Sequence, residues 1–460
     1  MQHQPSDPAP SLPYGKRNRH LFLLVAVLGI ATQGGVVYGW PSMRAILRRE
    51  QVLMPSSCLV NASSASNLTV CKEQELAFGA IYTFGAWSNQ GGRLFLGMLV
   101  DHSGPRISCV ISSLLFACGS AIFSHSLGSL AGLSVGFFLI GFGGAGAQIA
   151  VQSVAALYNE NRSTAMASLS GAFQFASGFY LYYDLFNRNS AVSLNTLLLI
   201  HAAIAIVMAT LAFAVLPMQA FGVATSRSSL PVVVLKGQTD ESTASAVNGG
   251  VAATATRDVD SVPLKARSFW QQALSPEFAR VTAFFTVGVL QCQFTVATIG
   301  VQLDLKGDQA GAGTRLFAAA MVASCLWTPL YGQLIDRLGF GFGLSLLNCL
   351  LLVALGGLIA PSLGLAYAAV AFFYPIGRLS HWATFFAYLA CVFGFRHFGK
   401  LVGLGMTVAA LVSLLQYPLL ELTFRAFDGS FVAVNTLFSA LHMLSFLLVP
   451  GMHRAAAKAR

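Results

Sequence analysis

The chain has 460 residues, 55% of them apolar and only 10% charged, and its mean hydropathy is +0.67. That composition excludes an ordinary soluble domain and an intrinsically disordered chain. The net charge of +10 is scattered through short segments between apolar runs, so no basic soluble face exists for nucleic acid.

Twelve apolar runs are long enough to cross the ~30 Å of bilayer hydrocarbon. They lie near 21–40, 75–99, 107–124, 128–157, 164–186 and 192–216, then 279–303, 314–335, 341–360, 363–393, 401–424 and 431–450; they are numbered spans 1 to 12. The predicted fold is an all-α membrane protein with twelve transmembrane helices in two pseudo-symmetric six-helix bundles. The expected layout is an N-terminal tail (1–20), a first bundle (21–217), a linker (218–276), a second bundle (277–450) and a C-terminal tail (451–460). The middle of the linker, Ser226–Arg267, is rich in Ser, Thr, Ala and charge without helical period, as flexible connectors are. Eleven further runs follow the first, so it does not read as a cleaved signal peptide. Lys and Arg concentrate on the side that holds both tails and the linker, which predicts cytoplasmic termini. The cluster Arg44, Arg48 and Arg49 alone runs against that rule.

Polar groups inside apolar spans are costly and mark sites or helix contacts. In a two-bundle carrier the pathway is expected between spans 1, 4, 7 and 10, with the cargo near mid-membrane. Span 1 carries Gln33 and then Tyr38 and Trp40 among Gly34, Gly35, Gly39 and Pro41. That stretch predicts a bend whose released backbone groups can hold a polar ligand, the alternative being an aromatic anchor at the membrane interface. The next loop holds two glycosylation acceptors, Asn61 and Asn67, between Cys58 and Cys71, a disulfide-bonded pair in an oxidising compartment. Arg93 in span 2 lies eight residues before Asp101, near enough to the inner end to snorkel or to join the charges of that loop. Span 4 contributes Gln148 and Gln152, and span 7 Gln291 and Gln293. Their amides can donate to a carboxylate and accept from an ammonium; as interhelical bonds instead, each is worth ~0.6 kcal/mol.

Arg378, midway along span 10, is the most informative single residue. A buried guanidinium costs several kcal/mol unless paired, and no acid lies within a helical turn of it. Its natural partner is an arriving carboxylate held by two parallel hydrogen bonds; a structural arginine bonded to helix ends or to a carboxylate on another helix is the alternative. His201, His442 and the six cysteines within spans read as packing residues.

Two motifs lead nowhere. Gly141, Gly143 and Gly146 match a dinucleotide fingerprint but lie inside an apolar span with no preceding strand, so close helix packing explains them. The histidines and cysteines show no metal-ligand spacing, and no nucleophile has a base nearby in sequence; neither a metal, a cofactor nor an enzymatic activity is expected.

Gly97-Met-Leu-Val-Asp101-His-Ser-Gly104-Pro-Arg106 recurs as Gly332-Gln-Leu-Ile-Asp336-Arg337-Leu-Gly339, its aspartate 235 residues further on, about half the chain. This doubled loop resembles the cytoplasmic signature of the major facilitator superfamily. It reads as an inside latch that closes when the carrier faces outward and breaks when it opens inward, a static role in folding being the alternative. Gly39-Trp40-Pro41-Ser42, Cys71 through Phe78, Tyr82-Thr-Phe-Gly85, His397 through Gly403 and Val412 through Pro418 are similar to solute carrier family 43.

That resemblance implies a sodium-independent facilitator of large neutral amino acids, working as a monomer by alternating access. One family member carries purine nucleobases, and protozoan relatives take amino acids that include cationic ones. The resemblance also implies an aspartate where this chain has Gln174 in span 5, which leaves that position able to contact cargo but not to titrate. Apart from Asp184 and Glu421 near span ends, the spans carry almost no acid, which fits facilitated diffusion rather than ion coupling. The expected location is the plasma membrane, the default of the secretory route. A non-transporting nutrient sensor on the same scaffold is the reading from another class.

Overall fold

The computed structural model describes residues 16–58, 70–158, 162–189, 192–218, 263–308, 310–394 and 396–459. Asn61, Asn67 and most of the linker lie outside the described residues. All regular elements among the described residues are helical, and the twelve spans follow in order.

The doubled loop shows its structural meaning at once. Spans 2 and 3 form one helical run, Lys72–His125, broken at Gly104 (φ 75°, ψ 172°). The run Thr328–Ile359, which completes span 8 and contains span 9, is broken at Gly339 (φ 82°, ψ 169°). Each glycine stands three residues after its motif's aspartate and adopts a backbone conformation that a Cβ would strain. The chain reverses there, and the repeat in the sequence is a repeat of this turn.

Two pathway spans are interrupted in a related way. Span 1 passes from Lys16–Gly29 through a π turn (Ile30–Gly34) and a 3-10 turn (Val36–Gly39) into Trp40–Arg49. The two halves meet at 42°. Gly34, Gly35 and Gly39 weaken the helix here, and Pro41 fits the first turn of the helix that resumes. Span 1 was expected to end at residue 40; it continues to Arg49, so the dissenting arginines ride on a helix rather than in a loop. Span 10 runs Leu363–Ala368, a π turn at Ala369–Phe373, then Tyr374–Phe393. Pro375 cannot donate a backbone bond into the preceding turn, which accounts for the irregularity. Tyr38 and Arg378 each sit four or five residues past their π turn.

The expected tails and linker differ in detail. Span 12 does not end near 450: after a short 3-10 turn a helix continues over Val449–Ala459, with Met452 and Ala456 buried. The end of the linker folds as Leu264–Ala266 and Phe269–Ala273. Lys265 Nζ donates to the Ala459 carbonyl at 2.7 Å, and Gln272 Nε2 to those of Leu264 (2.7 Å) and Phe393 (3.3 Å). These bonds tie the linker to the ends of spans 10 and 12.

Span 4 is packed through its glycines. A Cβ on Gly144 would stand 2.3 Å from the Gln33 carbonyl oxygen, and one on Gly141 2.2 Å from that of Gly85. The clash is with backbone, which cannot give way cheaply. Gly144→Val is therefore expected to cost about 1–3 kcal/mol or more, seen as a lower melting temperature of the detergent-purified protein.

Candidate functional site

Arg378 is 3% exposed. Its guanidinium carbon lies 4.5 Å from the centre of the Tyr38 ring and 5.0 Å from that of Trp382. Nε has no hydrogen-bond partner, and no carboxylate pairs with this arginine among the described residues. Span 1 of one bundle and span 10 of the other thus meet through a cation held on aromatic faces, an attraction worth up to about 2 kcal/mol when desolvated. Tyr82 and Tyr374 are also within electrostatic reach of Arg378.

Around this centre the polar groups fall into two sets. Some are occupied. Tyr38 donates its hydroxyl to Asn89 Oδ1 at 3.2 Å, and Asn89 Nδ2 donates to the carbonyls of Gly34 (3.3 Å) and Gly141 (3.0 Å). Asn89 therefore pins the break in span 1 to spans 2 and 4. Tyr82 donates to Gln293 Oε1 at 2.6 Å across the two bundles. Gln291 Nε2 donates to Thr295 on its own helix at 2.9 Å, and Gln148 Oε1 accepts from Arg93 at 2.7 Å. Gln174 Nε2 reaches Ser324 in span 8 at 3.4 Å, leaving its Oε1 free. Others are unsatisfied: both amide atoms of Gln33 and Gln90 are buried without a partner, as is Gln293 Nε2. Buried polar groups left open cost roughly 1–3 kcal/mol each and suit a site that a ligand completes.

Of the substrate-contact residues expected from sequence, the structure brings Arg378 and Tyr38 together and leaves Gln33 open. It commits Gln291 to its own helix and Gln148 to Arg93. Asn89, Gln90 and Trp382 did not figure in the sequence reading, and Tyr82 figured there only in the family resemblance. Asn89 and Gln90 were legible as a polar pair in an apolar span; Trp382 was not, since an aromatic residue in a membrane helix carries no such signal.

Asp101, Asp336 and Arg337 are exposed, and Asp101 and Arg337 form no ion pair among the described residues. Arg106 turns instead to span 6, donating to the Leu216 carbonyl with its guanidinium 5.8 Å from the Phe213 ring. A Cβ on Gly97 or Gly332 would meet nothing within 4 Å, so neither glycine is closely approached in this arrangement. Arg93 neither snorkels nor joins Asp101. It points its hydrogen bonds at Asn89 and Gln148, because polar oxygens of spans 2 and 4 lie nearer than the loop.

At the opposite end, that of the Cys58–Cys71 disulfide (Cα–Cα 6.0 Å), the two bundles are clasped. Arg44 Nε donates to Glu75 Oε2 at 2.8 Å, and its Nη1 and Nη2 both reach Asp304 Oδ2 at 3.0 Å. Arg48 joins the same Asp304 oxygen. Arg49 pairs with Asp184 at 2.7 Å, and Arg188 with the same carboxylate at 3.0 Å. Spans 1 and 2 are thereby held to span 7, and the arginine cluster that defied the charge rule has its partners. His201 and His442 bond to Thr32 O (2.6 Å) and Asn348 Oδ1 (3.1 Å), as packing residues do.

Two helical bundles, clasped at one end and meeting near an uncompensated guanidinium where both contributing helices are interrupted, define a two-bundle membrane transporter. The chain belongs to the Major Facilitator Superfamily, whose profile matches residues 52–417. It is 23% identical to the "Equilibrative nucleobase transporter 1" of Bos taurus, over 92% of this chain and 93% of that one. It is 28% identical to the "Large neutral amino acids transporter small subunit 3" of Homo sapiens, over 38% of this chain and 34% of that one. Among solved structures, a mutant of the nucleoside transporter NupG superposes with a TM-score of 0.62 at 11% identity, over 95% of this chain and 99% of that one; at that identity the likeness speaks for the fold alone.

Proposed function

We propose that this transporter moves amino acids, large neutral ones above all, by sodium-independent facilitated diffusion. The observation that carries the reading is Arg378: buried, with Nε unpartnered and no protein carboxylate beside it among the described residues. A cargo carboxylate supplies the missing counter-charge and is held by two charge-assisted hydrogen bonds. The open amide oxygen of Gln33 at the break in span 1 is suited to an α-ammonium group. Alternating access follows from the two ends: the Arg44–Asp304 clasp holds one face shut, and its release together with closure of the Asp101 and Asp336 loops opens it while shutting the other. On this reading the clasp faces outward, both termini are cytoplasmic, and the protein works as a monomer in the plasma membrane.

A second reading has its own support. Tyr38 and Trp382 offer aromatic faces, and Gln33 and Gln90 offer donor and acceptor atoms together, the chemistry that reads a planar base. A relative matched over nearly the whole chain carries a nucleobase transporter's name. For a purine base, Arg378 donates to a ring carbonyl or nitrogen.

Uptake of labelled leucine, phenylalanine, arginine and adenine into oocytes, at two pH values with and without sodium, separates these. Saturable leucine and phenylalanine uptake, indifferent to sodium and pH, is the expected result. Adenine uptake alone transfers the chain to the nucleobase reading, and ligand binding without flux to a sensor.

A further inference from the structure

Span 2 carries a second guanidinium that the foregoing reading leaves idle. Arg93 lies one helical turn beyond Asn89 toward the Asp101 end, about 6 Å along the axis. Its Nε donates to the Asn89 carbonyl at 3.1 Å; Nη2 donates to Gln148 Oε1 at 2.7 Å and, at longer range, to Asn89 Oδ1 at 3.4 Å. The Phe173 ring is centred 5.9 Å from the guanidinium carbon. All of these partners are neutral. Among the described residues Arg93 has no carboxylate, its Nη1 makes no hydrogen bond, and it is half-buried rather than sealed in. Neutral oxygens orient a guanidinium without cancelling its charge, so the full attraction for an anion is still available.

The position of Asn89 adds a connection. Its Oδ1 accepts from the Tyr38 hydroxyl and from Arg93, while the Tyr38 ring carries Arg378. One uncompensated guanidinium from each bundle is thus joined through Tyr38 and Asn89. A carboxylate bound at Nη1 and Nη2 of Arg93 finds Nη1 open and displaces one of the two bonds that Nη2 makes, of which the 3.4 Å contact to Asn89 Oδ1 is the longer.

We propose that Arg93 is a second anion-binding residue of the pathway, receiving the cargo's carboxylate on the Asp101 side after Arg378 has held it between the bundles. This rests on the amino-acid reading above. Gln148 acts on the cargo through Arg93, as a positioning residue that keeps Nη2 directed into the pathway.

Labelled leucine flux into sealed membrane vesicles of each orientation, carrying the full chain, tests the assignment. Arg93→Gln should raise the apparent KM for leucine presented to the Asp101 face on the order of tenfold, the loss of a charge-assisted pair. The KM from the clasped face should stay within about twofold, since Arg378 does the binding there. Arg93→Lys should recover part of the effect, keeping the charge but not the planar fork. If Arg93→Gln instead lowers Vmax equally from both faces and leaves both KM values alone, Arg93 is a helix-packing residue and the assignment is wrong. Wild-type protein that carries leucine alongside a kinetically normal Arg93→Gln variant overturns this inference and spares the amino-acid reading. Wild-type protein that carries no leucine overturns both.

Discussion

Arg378→Ala is expected to abolish saturable leucine uptake while leaving the protein folded, at the surface and at least as thermally stable as the wild type. The two halves of that result have different causes. A bidentate guanidinium–carboxylate contact contributes about 1.5–3 kcal/mol, so its loss weakens binding by roughly 10- to 150-fold before any effect on the loaded transition. Stability behaves oppositely. Removing one member of a buried ion pair usually costs about 3–5 kcal/mol because a charge is stranded. Arg378 strands nothing, since no carboxylate among the described residues depends on it. Its removal relieves a desolvated charge and forfeits only the attraction to Tyr38 and Trp382. Uptake together with differential scanning fluorimetry checks both halves. A variant that loses transport because its melting temperature collapses marks Arg378 as a structural residue. Arg378→Lys is expected to restore little, because an ammonium provides neither the paired donors nor the flat face that stacks on the rings.

Asp304→Asn is expected to spring the clasp between the bundles. In the present arrangement Asp304 neutralises Arg48 and shares Arg44 with Glu75. The substitution leaves Arg44 its contact with Glu75, while Arg48 loses its carboxylate and the inter-bundle attraction is gone. A loss of 1–3 kcal/mol from one of two conformations changes their ratio by about 5- to 150-fold. Electron–electron spin distances between labels at Lys72→Cys and Asp428→Cys, which face each other across the bundles at 3.6 Å in an exposed pair, report the change. The exposed thiols Cys118 and Cys349 are replaced first. A longer distance appearing in the Asp304→Asn protein is the expected outcome. An unchanged distance with reduced thermal stability identifies the cluster as a fold staple rather than a gate. High salt should mimic the mutation poorly, since the Arg44 and Asp304 side chains are only 3% and 16% exposed and are little screened.

The span order and the reversals at Gly104 and Gly339 were readable because each rests on a local rule. Hydrocarbon thickness sets the length of an apolar run, and a φ near +75° or +82° demands glycine. The bend in span 1 was readable for the same reason, from three glycines and a proline in close succession. Arg378 was also visible as a candidate, because a lone charge in an apolar span is costly unless the cargo or another helix supplies its partner. Which hydrogen-bond partners the pathway side chains take depended on the third dimension. Gln148 and Gln291 have the right chemistry on the right spans, yet their amides are used by Arg93 and Thr295. Nothing in the chain's order indicates which neighbour an amide will choose. Arg44 and Arg48 looked misplaced by the charge rule because their partners, Glu75 and Asp304, lie as far as 260 residues away.

The sequence by itself determined the solvent of this protein, the number and order of its helices, the duplicated reversal and the single charge in span 10, since composition and backbone conformation act over a few neighbouring residues. Only the tertiary structure decided which face of the carrier is clasped, which amides remain open and how the two pathway guanidiniums are linked through Tyr38 and Asn89. Those outcomes are set by the packing of six helices against six, where contacts form between residues that the chain keeps far apart and where a hydrogen bond made to one partner is withheld from another.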